Sequence, residues 1–146
     1  MTVSTKPFLA PVAAALLLVF GSAAFAQETP SAPNAKVYFI NLKDGDVVKG
    51  PVLAQFGLSG MGIAPAGTEA ENTGHHHLLV DVAMTDAELL EPILMDDNHR
   101  HFGKGQTEVL LDLAPGKHTL QMLLGDWTHI AHVPPVMSEV ITITVE

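Results

Sequence analysis

All eight histidines lie between positions 75 and 132. They fall in four places: His75-His76-His77, His99-x-His101, His118 and His129-x-x-His132. On a strand, side chains alternate faces, and residues two apart sit about 6.6 Å apart along the chain. His75 and His77 then share one face with Asp81. His76 shares the other with Leu78, Val80 and Val82. Two imidazoles at that spacing can converge on one ion through metal–nitrogen bonds of about 2.0 Å. His99 and His101 would repeat the arrangement if extended, although Asn98 and Phe102-Gly103 read as a loop. His129 and His132 fall in a loop between two strands expected to be antiparallel neighbours. The expected metal ligands are therefore His75, His77, His99 and His101, with His129 and His132 next.

The other two histidines read as structural. His76 is expected as a hydrogen-bonded core residue. His118 follows Pro115-Gly116-Lys117 at the start of a strand. There an imidazole N–H can bond back to the backbone, as a tyrosine does at the corner of immunoglobulin-like sandwiches. The phase matters, because a one-residue slip would exchange His76 with its two neighbours. Asp126 precedes Trp127 and is placed to order its loop by accepting backbone N–H bonds. Asp96-Asp97 reads as a turn with solvated carboxylates, and Glu108 as outward-facing.

Histidine and carboxylate donors without cysteine make a site of borderline hardness, for which Cu(II) outranks Zn(II). The expected cofactor is thus a copper or zinc ion. Met61 and Met95 sit in loops and are the thioethers open to Cu(I); Met122 reads as core.

Composition excludes several other chemistries. No cysteine is present among the 146 residues. That removes disulfides, Cys-ligated zinc, iron–sulfur clusters, a thiol nucleophile and a lipidated N-terminus. Beyond residue 26 the serines are Ser31, Ser59 and Ser138, and none sits in G-x-S-x-G. Seven basic residues face sixteen acidic ones, for a net charge of −9. Such a surface repels phosphate backbones and anionic lipid, so nucleic acid and membrane are not expected partners.

The elements that position these residues read as all-β. Residues 13–20 form an apolar run too short to span a bilayer. Lys6 precedes it, and Ala24-Phe25-Ala26 follows as a cleavage site. Residues 1–26 are expected to be a signal peptide, which implies a periplasmic or secreted protein. Cleavage there leaves Gln27 first, which argues against a copper site built on an N-terminal histidine. Residues 27–35 read as a flexible leader. Short apolar runs follow at 36–41, 47–48, 52–58, 75–82, 107–113, 118–125 and 138–145, separated by turn residues. This spacing predicts one immunoglobulin-like antiparallel β-sandwich of about seven strands over residues 36–146. Thr85-Asp86-Ala87-Glu88 fits a capping box, so one short helical turn is expected before Pro92.

The stretches FGLSGMGIAPAG, NTGHHHLLVD, DDNHRHFGKGQTE, APGKHTLQMLLGD and HIAHVPPVMSEVITITV together resemble the bacterial domain of unknown function 4399. The resemblance runs over about residues 36–146. The motifs are carried by His75, His76, His77, Asn98, His99, His101, Gln106, Glu108, His118, Asp126, His129 and His132. The resemblance implies an exported, compact domain and brings no assigned activity.

Three functions fit these readings. The first is binding of a divalent transition metal for storage, buffering or delivery. The second is a metal-free interaction module that presents loop 59–74 and Trp127 to another envelope protein. The third is a metal-dependent envelope enzyme. In addition, protonation of six or more histidines near pH 6.5 would offset much of the negative charge, which suggests acid sensing.

Overall fold

The computed structural model describes Met1 and residues 28–146 of the chain. The signal peptide expected at 1–26 lies, apart from Met1, outside the described residues. Among those residues no helix is long and apolar enough to cross a membrane.

The described residues form nine strands: β1 (Lys36–Phe39), β2 (Val47–Val48), β3 (Val52–Ser59), β4 (Gly62–Ile63), β5 (Thr73–Val80), β6 (His99–His101), β7 (Glu108–Leu111), β8 (Gly116–Gly125) and β9 (Ile141–Val145). Strands β1, β3 and β7 make one sheet. Strands β2, β9, β8, β5 and β4 make the other in that order, with β6 also paired to β5. Glu88–Leu90 forms the one 3-10 turn among the described residues. It is entered through the expected capping box: Glu88 N donates to Thr85 Oγ1, and Thr85 N donates to Glu88 Oε2 at 2.7 Å.

Period-two alternation sends one side of each sheet into a shared core. Val37, Val52, Ala54, Phe56 and Leu111 come from the small sheet. Leu78, Val80, Leu120, Met122, Leu124, Ile143 and Val145 come from the large one. The two sheets therefore pack face to face as a β-sandwich, as the sequence predicts. The large sheet is also covered on its far side, where Leu89, Ile93, Leu123 and Ala131 form a second, smaller cluster. Both faces of β5 are thus buried from Gly74 to Val80.

Three expectations are corrected. The large sheet is mixed rather than purely antiparallel, because β2 joins β9 and β4 joins β5 in parallel, while β1, β3 and β7 pair antiparallel. Those two-residue strands are too short to leave a periodic signal, which also explains nine strands against about seven. Residues 99–101 form a strand, not a loop: they pair with the open edge of β5, and Val80 N donates to Asn98 O at 2.8 Å. The described part of the expected leader, residues 28–35, is tied down. Val133 N donates to Thr29 O at 2.9 Å, Ser31 N to Val133 O at 3.1 Å, and Thr29 Oγ1 to Asp126 Oδ2 at 2.6 Å.

Candidate metal centre

The phase of β5 decides what its histidines face. His76, Leu78 and Val80 stand opposite Leu124, Met122 and Leu120 of β8 and point into the main core. His75 and His77 stand opposite Gly125 and Leu123 and point to the far side of the sheet. Their Nε2 atoms lie 3.0 Å apart. On the next strand His101 is directly opposite His77, with ring centroids 5.1 Å apart. His129 reaches the same place from the loop between β8 and β9. Its ring centroid is 5.0 Å from that of His75, 4.9 Å from His101 and 6.3 Å from His77.

One ring nitrogen each from His75, His77 and His101 lies within 4.8 Å of the others, so this group could hold a metal ion. A tetrahedral ion with bonds of about 2.0–2.1 Å needs ligand nitrogens about 3.3 Å apart. The His75–His77 pair already meets that spacing within a few tenths of an ångström.

Glycines make the room. A Cβ on Gly125 would lie 2.8 Å from His77 Nε2 and 3.3 Å from Ile93 Cδ1. A Cβ on Gly103 would collide with the His101 ring. Neither position needs glycine for a positive φ; the side chain is missing because an imidazole fills its volume.

The electrostatics favour neutral rings at His75, His77 and His101. His75 and His77 are fully buried. Burial, then the neighbouring imidazoles of His101 and His129, lowers the His75 pKa to about 4, against a small opposing pull from Asp126. Burial followed by His75, His101 and His129 drives His77 lower still. His101 is lowered by burial and then by His129. His75 Nδ1, His77 Nδ1 and His101 Nε2 are buried without a hydrogen-bond partner.

Asp126 builds the loop that delivers His129. Its Oδ1 accepts from Thr128 N at 2.8 Å, Thr128 Oγ1 at 2.7 Å and Ile130 N at 3.0 Å. Its backbone oxygen accepts from His129 N at 3.0 Å. Burial alone would raise the carboxyl pKa, but the bonds from Thr29, Thr128 and Ile130 outweigh it and hold the group below its ordinary range. Within this tight loop His129 adopts φ 72°, a left-handed conformation uncommon for a residue with a side chain. The ordering role expected for Asp126 is thus present, and it bears directly on a histidine of the group.

The gathering differs from the expected ligand set at two positions. His99 shares a face with His101 but stands opposite Leu79, two pairs further along. Its Nδ1 lies 2.9 Å from Asp96 Oδ1, which also accepts from Asn98 N and His99 N. Asp96 is therefore the turn residue it was read to be, and it holds His99 outside the group. His132 is buried with its ring nitrogens 3.4 Å from Leu124 O and 3.2 Å from Thr73 O. It ties the β8–β9 loop to β5. Of the thioethers, Met61 packs on the main core. Met95 lines an open cleft of about 510 Å³ beside Asp96 and His99.

The two histidines read as structural sit as expected. His76 packs edge-on against Phe56 with centroids 5.4 Å apart, and its Nδ1 lies 3.3 Å from Gln106 O. His118 places Nδ1 2.7 Å from Asp81 Oδ2 and Nε2 2.8 Å from Ala114 O. This is the backbone-bonded corner, with a carboxylate added.

No curated protein and no solved structure matches the chain. A family description does: Domain of unknown function (DUF4399) matches residues 54–146, from within β3 to the last residue, and every histidine falls inside that match. On that span the chain belongs to the DUF4399 family.

Proposed function

We propose that the protein binds one divalent transition-metal ion, copper(II) ahead of zinc(II), through His75, His77, His101 and His129. Its task in this reading is storage, buffering or delivery in the periplasm or outside the cell. The observation that carries the reading is the convergence of one ring nitrogen each from His75, His77 and His101 within 4.8 Å, with the His75 and His77 Nε2 atoms 3.0 Å apart. Of the two histidines read as structural, His118 pairs both ring nitrogens, with Asp81 and Ala114, while His76 pairs Nδ1 with Gln106 O and leaves Nε2 without a partner. Leaving several polar atoms buried and unpaired costs free energy, roughly 1–3 kcal/mol for each group. A shared cation would take the lone pairs of the converging nitrogens, with each neutral ring carrying its proton on the other nitrogen. The donor set is all nitrogen, which places Cu(II) at the top of the affinity order. The signal-like segment at 1–26 supports export.

The test is calorimetric titration of the metal-free protein with Cu(II) and then Zn(II), beside a His75→Ala/His77→Ala variant. One-to-one binding tighter than micromolar in the parent, lost in a variant that still melts cooperatively, supports the reading. Absence of saturable binding in the parent refutes it.

A further inference from the structure

The four imidazoles are not equivalent. His75 and His77 are fully buried in a strand that is paired on both edges, by β8 and by β6. Neither can move without breaking sheet pairing. His101 is partly exposed but is held in the β5–β6 ladder, with its ring packed where Gly103 leaves space. His129 alone belongs to a loop. It too is partly exposed, its backbone is held at φ 72°, and its ring stands farthest from His77.

From this asymmetry we propose that His129 is the exchange ligand: the ion enters and leaves on the His101–His129 side, by replacement of His129. The proposal rests on the metal-binding reading above. An incoming nitrogen or thioether donor, from an acceptor that carries imidazole or methionine side chains, offers its lone pair to the ion. One new metal–ligand bond forms and the bond to the His129 nitrogen breaks. The ion's oxidation state does not change, and no proton need move while the acceptor is neutral. His75 and His77 hold the ion meanwhile, because a strand buried on both faces gives them nowhere to go. The arrangement suits delivery better than permanent storage.

The experiment loads the full protein with one Cu(II) and mixes it with EDTA at rising concentration, following copper–EDTA absorbance. Replacement at His129 predicts a transfer rate that climbs with EDTA concentration. A His129→Asn variant removes the imidazole while tolerating the left-handed conformation. It is expected to bind Cu(II) one-to-one still, and to hand it over about tenfold faster, the scale on which loss of a site contact acts. A parent rate independent of EDTA concentration overturns the proposal without use of any variant. A His129→Asn protein that binds copper and releases it at the parental rate overturns it as well. A parent protein that takes up no Cu(II) defeats the underlying metal reading instead, so the two failures are told apart.

Discussion

His77 stands directly across an antiparallel ladder from His101, and its other cross-strand neighbour, Leu123, belongs to the small apolar cluster on the same side. The face that gathers the histidines is therefore an apolar layer with imidazoles set into it. That setting, more than the number of histidines, controls how the site should respond to change.

Gly125→Ala should damage the site without touching a ligand. The added methyl would meet His77 Nε2 at 2.8 Å, and β8 has no slack to yield. Overpacking of this kind costs about 1–3 kcal/mol. The expected result is a lower melting temperature and Cu(II) affinity reduced about tenfold or more. Unchanged affinity would show that His77 does not point at the ion.

The metal-free protein should lose stability in mild acid. The folded pKa values of His75, His77 and His101 are all depressed, that of His75 to about 4. Below about pH 6.5 the unfolded chain takes up protons at these positions and the folded chain does not. Stability is thus intact above pH 6.5 and falls as the pH drops toward 4, by roughly 1.4 kcal/mol per pH unit for each of the fully buried pair His75 and His77. Urea unfolding at pH 7.5, 6 and 5 measures this, and a flat series would contradict the burial of the cluster. Bound Cu(II) should move the loss to lower pH.

His118 should act in the opposite sense. Its pKa is raised by the Asp81 carboxylate and then by Ala114 O. Its contribution is fully present below the unfolded value of about 6.5 and disappears as the pH rises through the folded value. Asp81→Asn keeps a residue suited to φ 58° but removes the charge. The variant is expected to lower the His118 pKa seen by NMR and to destabilise the protein more at pH 6 than at pH 8. Equal loss at both would mean the ion pair contributes nothing.

Asp126→Ala removes the acceptor for Thr128 N, Ile130 N and Thr29 Oγ1 together. Buried donors left unpaired cost about 1–3 kcal/mol each. The loop should open, and His129 should leave the cluster before the sandwich melts. Amide exchange over residues 126–132 should speed up in the variant while β3 and β9 remain protected.

Much of this was readable from side-chain parity. The alternation of His76 with Leu78 and Val80 fixes which histidines leave the main core, because period two admits only one phase once the apolar face is known. The strands rich in Leu, Val and Ile, β8 and β9, announce themselves in the same way. His101 was separable from His99 only through register, since both share a face and only pairing with β5 says which stands beside His77. The choice between His129 and His132 turned on backbone conformation. The positive φ at His129 follows from four hydrogen bonds gathered by Asp126, a tertiary arrangement that i to i+3 spacing does not encode. The docking of residues 28–35 depends on Val133, a hundred positions on, and a Pro-rich composition hides it.

Strand β5 is enclosed on both faces, whereas β6 is paired to one edge of it and the β8–β9 loop is bridged to β8 and touches β5 through His132. An ion shared among His75, His77, His101 and His129 would therefore act as a clasp that closes two chain segments onto a fixed post. Loading should stiffen the clasped segments and leave the post as it was. The difference between empty and loaded protein would then be carried by breathing of residues 99–101 and 126–132, with the outline of the sandwich unchanged.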